Sequence, residues 1–115
     1  ANRVTNVMRG REFQLTSGES IPYSILMAPS AHRFFKKFTD KLKRKVKEEA
    51  RIIANDPYAH EELHEPLKGI RSSHFTFEGT QYRIAYRINE TSRSIEILLV
   101  KTRENFYERL SRIFT

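Results

Sequence analysis

The chain has 115 residues, with 21 Lys and Arg against 14 Asp and Glu, a formal net charge of +7 and an isoelectric point near 9.9. It contains no cysteine, which excludes disulfides, thiolate nucleophiles and cysteine-type zinc sites. No run approaches the ~20 apolar residues of a membrane-spanning helix, and no charged-then-apolar secretion signal opens the chain. These features predict a single cytoplasmic domain with no membrane contact, whose charge favours an anionic partner such as nucleic acid or an acidic protein segment.

The first twenty residues differ from the rest of the chain. They are polar and have no helical apolar stripe, and they end in the turn pattern Ser17–Ser20. We therefore assign residues 1–20 to an N-terminal extension and residues 21–115 to one folded domain. Two alternatives stay open for the extension. It is either a disordered tail, or it contributes an extra strand at Glu12–Thr16 that pairs with the alternating segment Ile21–Met27 as a hairpin.

Two helices are predicted after this first strand. Pro29 and Ser30 open the first helix, and the Ser30 hydroxyl is suited to cap it by accepting from an unpaired backbone N–H. A second helical stripe begins near Asp40 and ends before Pro57, because the residue before a proline disfavours the helical region. Within residues 31–51, nine basic side chains stand against three acidic ones. Such a face is either ordinary solvated surface or a phosphate-binding surface.

Three strands and a last helix complete the pattern. Ser73–Phe77 and Gln81–Ile88 alternate in polarity on either side of a turn at Gly79, and Ser94–Lys101 is apolar on both faces, as a central strand is. Residues 104–114 have a helical apolar stripe. The order β-α-α-β-β-β-α predicts an α+β fold, in which a twisted, mostly antiparallel sheet has the N-terminal helical hairpin packed on one face and a short C-terminal helix.

The segment His60–His64 has the H-E-x-x-H pattern of zinc proteases. In that motif two histidines one helical turn apart bind zinc and the glutamate activates water. Here Pro57 and Pro66 leave little room for the helix, and the segment is acidic and offers no apolar face to bury it. We therefore predict no metal site and no cofactor. The segment is interpreted as a surface loop, with at most adventitious metal binding by its two histidines.

A basic and aromatic set is concentrated late in the chain. Alternation places His74 and Thr76 on one face of their strand, and Arg83 on the face of the next strand that lacks tyrosine. The whole set is Lys68, Arg71, His74, Thr76, Arg83, Arg87, Lys101, Arg103 and Tyr107. Guanidinium groups around a tyrosine and a histidine suit a phosphodiester, because arginine stabilises charge on phosphate oxygens and an aromatic ring stacks a base. The alternative is an ordinary exposed sheet face, with Tyr107 covering the core.

Five short motifs occur along the chain in a characteristic order. They are Met27–Ala31 (MAPSA), Asn55–Pro57 (NDP), Leu67–Gly69 (LKG), Tyr82–Tyr86 (YRIAY) and Val100–Tyr107 (VKTRENFY). In this order, and over residues 21–114, the chain resembles the RelE/ParE superfamily of toxins from bacterial type II toxin–antitoxin modules, and RelE-like members more than ParE-like ones.

The resemblance implies an enzyme, a ribosome-dependent mRNA endoribonuclease that inhibits translation by metal-free attack of an RNA 2′-OH on the adjacent phosphate. Arg83, Arg103 and Tyr107 match the family's Tyr-Arg strand and its closing Arg-x-x-x-Tyr, which implies that the two arginines stabilise charge and that Tyr107 stacks a base or donates a proton. Thr102 stands where many members have histidine, so the imidazole base must be His74 or none is used. The remaining set is assigned to RNA binding: Lys68, Arg71, Thr76, Arg87 and Lys101.

Two alternatives belong to other functional classes. One is a ParE-like toxin that binds and poisons DNA gyrase, and the other is an inactive homologue that only binds an antitoxin. All three imply a cognate antitoxin whose acidic or amphipathic segment folds onto the basic surface. The ribonuclease alternative adds the ribosome and mRNA as partners, with the basic helices in 31–51 contacting ribosomal RNA.

Overall fold

The computed structural model of the protein describes residues 21–114, so the extension 1–20 and its predicted hairpin lie outside the described residues. The elements are β1 (Ser24–Met27), α1 (Pro29–Phe35), α2 (Asp40–Asn55), a 3-10 turn (Pro57–Ala59), β2 (Glu61–Glu62), β3 (Ile70–Phe77), β4 (Thr80–Asn89), β5 (Ser94–Thr102) and α3 (Phe106–Ile113). The predicted α+β class is confirmed. The 3-10 turn and β2 are additions to the predicted order.

The five strands form one mixed sheet in the order β1-β5-β4-β3-β2. β1 runs parallel to β5, and all other neighbours are antiparallel. The register sets His74 opposite Arg83, and Arg83 opposite Lys101. These three side chains form a row across one face of the sheet, which we call the Arg83 row. β2 pairs only with Arg71 and Ser72, at the start of β3.

Each face of the sheet packs its own hydrophobic cluster. On one face α2 covers the sheet, with Val46 and Ile53 fully buried against Ile84 of β4. On the other face α3 docks through Phe106 and Leu110. Helix α1 contacts β5 and contributes side chains to both clusters. No helix within residues 21–114 is long and apolar enough to cross a membrane.

The start of α1 differs from the prediction. Pro29 is its first residue and Ala28 its N-cap, so the assignment of Ser30 as the cap is wrong. Proline is favoured there because its fixed φ suits the first helical turn and its missing N–H would be unpaired anyway. The Ser30 hydroxyl instead donates to the carbonyl oxygen of Leu98 at 2.6 Å. Leu98 lies at a bulge in β5, where it has no partner residue on β4. The bond therefore ties α1 to β5 at the point where the β4–β5 pairing is interrupted.

A buried tyrosine joins the sheet to the 3-10 turn. The Tyr86 hydroxyl donates to the carbonyl oxygen of Pro57 at 2.5 Å, and burial raises the pKa of Tyr86 to about 12. We expect Tyr86→Phe to lower the free energy of unfolding by about 1–3 kcal/mol, because the buried carbonyl loses its donor. Urea denaturation at pH 7 measures this loss. Tyr82→Phe, in the same cluster, is the matched control, and an equal loss in both variants contradicts the prediction.

An exposed carboxylate joins three segments at the end of the sheet. Glu90, in the β4–β5 turn, accepts hydrogen bonds from Tyr58 and from Tyr23, the latter at 2.7 Å. These bonds, from Tyr58 first, hold the pKa of Glu90 below its usual range, and Arg93 acts in the same direction. A lowered folded-state pKa means that the stabilisation is present above the ordinary glutamate value of about 4.3 and is lost as pH falls through the folded value.

Glu90→Gln tests this pH dependence. The wild type is expected to be more stable than the variant at pH 7, and the difference should shrink as the pH falls below about 4, because the carboxylate then takes up a proton in both states. Urea midpoints measured from pH 7 to pH 3 give the difference. A difference that stays constant over this range contradicts the assignment of the lowered pKa to Glu90.

Candidate functional site

The candidate site is centred on Arg83 in β4. Its Nη1 donates to the hydroxyl of Tyr107 at 3.3 Å, and its guanidinium carbon lies 5.5 Å from the centre of the Tyr107 ring. A guanidinium can donate hydrogen bonds in its plane and also pack against an aromatic ring, so the Arg83 side chain makes both contacts. With His74 and Lys101 on either side of Arg83 in the register, the structure brings four of the nine predicted residues together.

Helix α3 positions Tyr107. Its neighbours Phe106 and Leu110 are 1% and 0% exposed, and they fix the helix on the sheet, while Tyr107 stays 41% exposed. The two aromatic rings meet edge to face at 5.4 Å. The tyrosine is therefore held by a buried anchor on one side and by Arg83 on the other.

Lys101 shapes the loop that leads into this helix. Its ammonium donates to the carbonyl oxygens of Thr102, at 3.2 Å, and Glu104. The residue after Glu104, Asn105, has φ +56°, in the left-handed region that asparagine tolerates better than most residues. Lys101 thus contributes positive charge beside Arg83 and also orders the segment that carries Tyr107.

Three more predicted residues are exposed at other positions on the surface. Thr76 is exposed on the same face as His74, opposite Gln81. The Arg103 side chain lines a depression of about 480 Å³ at the β3–β4 turn, and its backbone N–H donates to the Gln81 carbonyl at 3.3 Å. Lys68 lines a separate depression with the loop residues 62–65, so the structure does not show it in contact with the Arg83 row.

Two predicted arginines are engaged elsewhere. The Arg71 guanidinium donates to the carbonyl oxygen of His60 at 2.7 Å and lies 5.1 Å from the Tyr58 ring centre. Side chains alternate along a strand, so Arg71 is on the opposite face from His74. Arg87 donates to Glu96 at 2.7 Å. Both arginines hold neighbouring segments in place rather than joining the row.

The H-E-x-x-H segment is not helical. Glu61 and Glu62 form β2, so part of the segment predicted as a loop is a short extended strand, and its two histidines are not one helical turn apart. Among residues 21–114 there is no group of three or more histidine, aspartate or glutamate side chains placed to hold a metal ion. His60 instead packs edge to face on Tyr86, with 6.3 Å between the ring centres.

A cavity of about 410 Å³ adjoins the row, and sequence reasoning missed it. Its lining residues are Ala59, His60, Glu61, Ser72, Ser73, His74 and Arg83. The sequence offered one indication of this cavity, because Ser72 and His74 are two residues apart in β3 and their side chains therefore lie on one face. Nothing in the sequence pattern placed β2 beside β3, and so Glu61 could not be assigned to this face.

The fold is similar to those of solved bacterial toxins from toxin–antitoxin complexes. The structure is similar to the RelBE2 toxin–antitoxin complex from Mycobacterium tuberculosis, with a TM-score of 0.62 and 28% identity over 72% of this chain and 93% of that one. It is also similar to two structures of Escherichia coli RelE. For a free variant with two arginines replaced by alanine, the TM-score is 0.65, with 11% identity over 83% of this chain and 100% of that one. For the isolated toxin, the TM-score is 0.56, with 16% identity over 79% of this chain and 98% of that one.

The family follows from the sequence itself. The model of the ParE-like toxins of type II bacterial toxin–antitoxin systems matches residues 25–111. The chain belongs to this family, and the predicted resemblance to the RelE/ParE superfamily is confirmed. No match was found among curated proteins.

Proposed function

We propose that this type II toxin is a ribosome-dependent endoribonuclease that cleaves mRNA and thereby inhibits translation. The observation that supports it most directly is the contact between Arg83 and Tyr107 at 3.3 Å, with His74 next to Arg83 in the register. An imidazole, a guanidinium and a phenol on one open face can supply the base, the charge stabilisation and the acid for phosphodiester cleavage by an internal hydroxyl.

The proposed reaction is an internal transesterification of the RNA. His74 accepts the proton of the 2′-OH, whose oxygen then bonds to the adjacent phosphorus, and the bond from phosphorus to the 5′ oxygen breaks. The products are a 2′,3′-cyclic phosphate and a 5′-hydroxyl, which receives a proton from Tyr107 or from water. Arg83 and Arg103 stabilise the negative charge that builds on the phosphate oxygens, and charged donors of this kind contribute most in the transition state.

The charge distribution suits a substrate presented by the ribosome. The basic helix α2 covers the sheet face opposite the Arg83 row, so ribosomal RNA and mRNA would meet different sides of the toxin. Several α2 cations are exposed, whereas Lys45 pairs with Glu49 at 3.2 Å. We propose that flanking phosphates are contacted by Lys68, Thr76 and Lys101. Arg71 and Arg87 are proposed to act indirectly, by holding neighbouring segments of the sheet in place.

The proposal includes an antitoxin as partner. Solved structures similar to this chain include RelBE complexes, in which the toxin is bound to its antitoxin. A basic exposed face with an accessible tyrosine is suited to an acidic or amphipathic segment that folds on binding. Residues 21–115 are proposed to form one toxin domain in the cytoplasm, with 1–20 as an extension.

Primer extension on an mRNA in a purified translation system tests the ribonuclease. New 5′ ends confined to the codon in the decoding site, and absent without ribosomes, are expected. An intact message with folded toxin contradicts the proposal. The next alternative is then a ParE-like inhibitor of DNA gyrase, which a supercoiling assay tests.

A further inference from the structure

The outer edge of β1 is unpaired in the described part of the chain. β1 is the last strand of the sheet on its side, and within residues 21–114 its one neighbouring strand is β5. The backbone N–H groups of Ser24 and Ala28 donate towards β5, at 3.0 and 2.9 Å. Because backbone groups alternate in direction along a strand, the N–H and C=O groups of Ile25 and Met27 point the other way. They are available to a further strand.

The side chains of β1 leave this edge unprotected. The strand has the sequence Ser-Ile-Leu-Met, and Ile25 and Leu26 are 40% and 54% exposed. Natural proteins protect free edges with charged side chains, proline or bulges, because an unprotected edge pairs with other extended chains. β1 contains neither a charge nor a proline. Its edge is therefore suited to an extended segment with apolar side chains.

The segment that precedes β1 is the best placed to cover it. The carbonyl oxygen of Ile21 accepts from the Arg93 guanidinium at 2.6 Å, so residues 1–20 begin at a fixed point beside this edge. A segment joined through the turn pattern Ser17–Ser20 has an effective concentration of about a millimolar at the edge. A second copy of the chain has no such advantage, and its net charge of +7 opposes association.

One register matches the preceding segment to the edge. If Gln14 exchanges backbone hydrogen bonds with Ile25, then Phe13 lies opposite Leu26. These two residues form a non-hydrogen-bonded pair, in which the Cα atoms are only about 4.5 Å apart and the side chains are in close contact. The exposed Leu26 side chain is thus covered by an aromatic ring. Pro22, which has no N–H to offer a ladder, falls in the connecting turn.

We propose that Glu12–Thr16 pairs antiparallel with β1 as a sixth strand, with Phe13 opposite Leu26. Of the two alternatives for the extension, this selects the strand. The added strand closes the edge with a segment of the same chain and keeps that edge from pairing with other chains. The inference goes beyond the proposed ribonuclease function and does not depend on it.

Disulfide trapping tests this register, because the chain has no cysteine of its own. The Cα separation of a non-hydrogen-bonded pair suits a disulfide, so Phe13→Cys with Leu26→Cys should oxidise within one chain. The matched control is Gln14→Cys with Leu26→Cys, which has nearly the same separation along the chain but places one thiol on the opposite face. The first pair should form its disulfide at least about tenfold faster than the control.

Two outcomes of the trapping overturn the proposal. Equal rates for the two pairs are the result expected of an unstructured extension, because closure of a flexible loop depends only weakly on its length. Disulfides that join two chains, seen as dimers on a non-reducing gel, show that a second copy covers the edge instead.

Hydrogen exchange in the unmodified full chain is an independent test, and it does not require the cysteine variants to fold. The outward amides of Ile25 and Met27 should exchange at least about tenfold more slowly than unprotected amides, at every protein concentration. Exchange at the unprotected rate overturns the proposal, and so does protection that increases with protein concentration. Primer extension enters neither test, so a failure of the ribonuclease proposal is distinguishable from a failure of this one.

Discussion

Arg83→Ala is expected to lower mRNA cleavage at least about 100-fold with the fold intact, because a preorganised charged donor to the phosphate is lost. The same substitution frees the Tyr107 hydroxyl from its 3.3 Å contact, so the proposed base-stacking residue also loses its lateral support. Primer extension with time points gives the rate, and circular dichroism confirms folding. Arg83→Lys should be intermediate, since it keeps the charge but not the planar fork.

The control for this prediction is an arginine-to-alanine change outside the sheet. Arg93, in the β4–β5 turn, packs its guanidinium 4.3 Å from the Tyr23 ring centre, away from the row. Arg93→Ala should leave cleavage within about twofold of wild type, as surface substitutions away from a site do. If Arg83→Ala cleaves as fast as Arg93→Ala, Arg83 has no part in the reaction.

Phe106→Ala is expected to lower the free energy of unfolding by about 3–5 kcal/mol, through lost burial and the cavity left behind. The ring is 1% exposed and anchors α3 on the sheet, whereas Phe114, just after the same helix, is 46% exposed. Phe114→Ala is therefore the matched control, with an expected loss below about 1 kcal/mol. Urea denaturation measures both.

This pair of variants also tests how α3 supports the site. Loss of the Phe106 anchor should make the Tyr107 position less well defined, because the two rings are in edge-to-face contact at 5.4 Å. Under conditions where Phe106→Ala is still folded, cleavage should fall more than in Phe114→Ala. Equal losses of stability in the two variants would falsify the docking of α3 through Phe106.

Prediction from sequence succeeded where a pattern is local. Alternation in β3 and β4 placed His74 and Arg83 on their correct faces. Pro57 correctly predicted where α2 ends. It failed where a contact is long-range. Ser30 looks like a helix cap from its neighbours alone, but its hydroxyl bonds to Leu98, 68 residues away.

The same distinction applies to the candidate site. Residue types and spacing predicted nine basic, polar or aromatic residues, but their partners depend on register and helix docking. By residue type alone Arg71 and Arg83 are equivalent, and only the family motif favours Arg83. Arg71 is engaged by the carbonyl oxygen of His60, while Arg83 meets Tyr107 on the exposed side of the sheet. The cavity at Ser72 depends on β2, a two-residue strand with no sequence signal of its own.

The sequence by itself determined the α+β class, the order of the main elements, the positive charge and the family motifs, because these depend on periodicity and on residues close together in the chain. The tertiary structure decided which side chains meet: His74, Arg83, Lys101 and Tyr107 at one centre, with Glu61 and Ser72 beside it. The physical reason is that cross-strand register and the packing of α3 are set by the burial of both sheet faces together, which no local segment specifies.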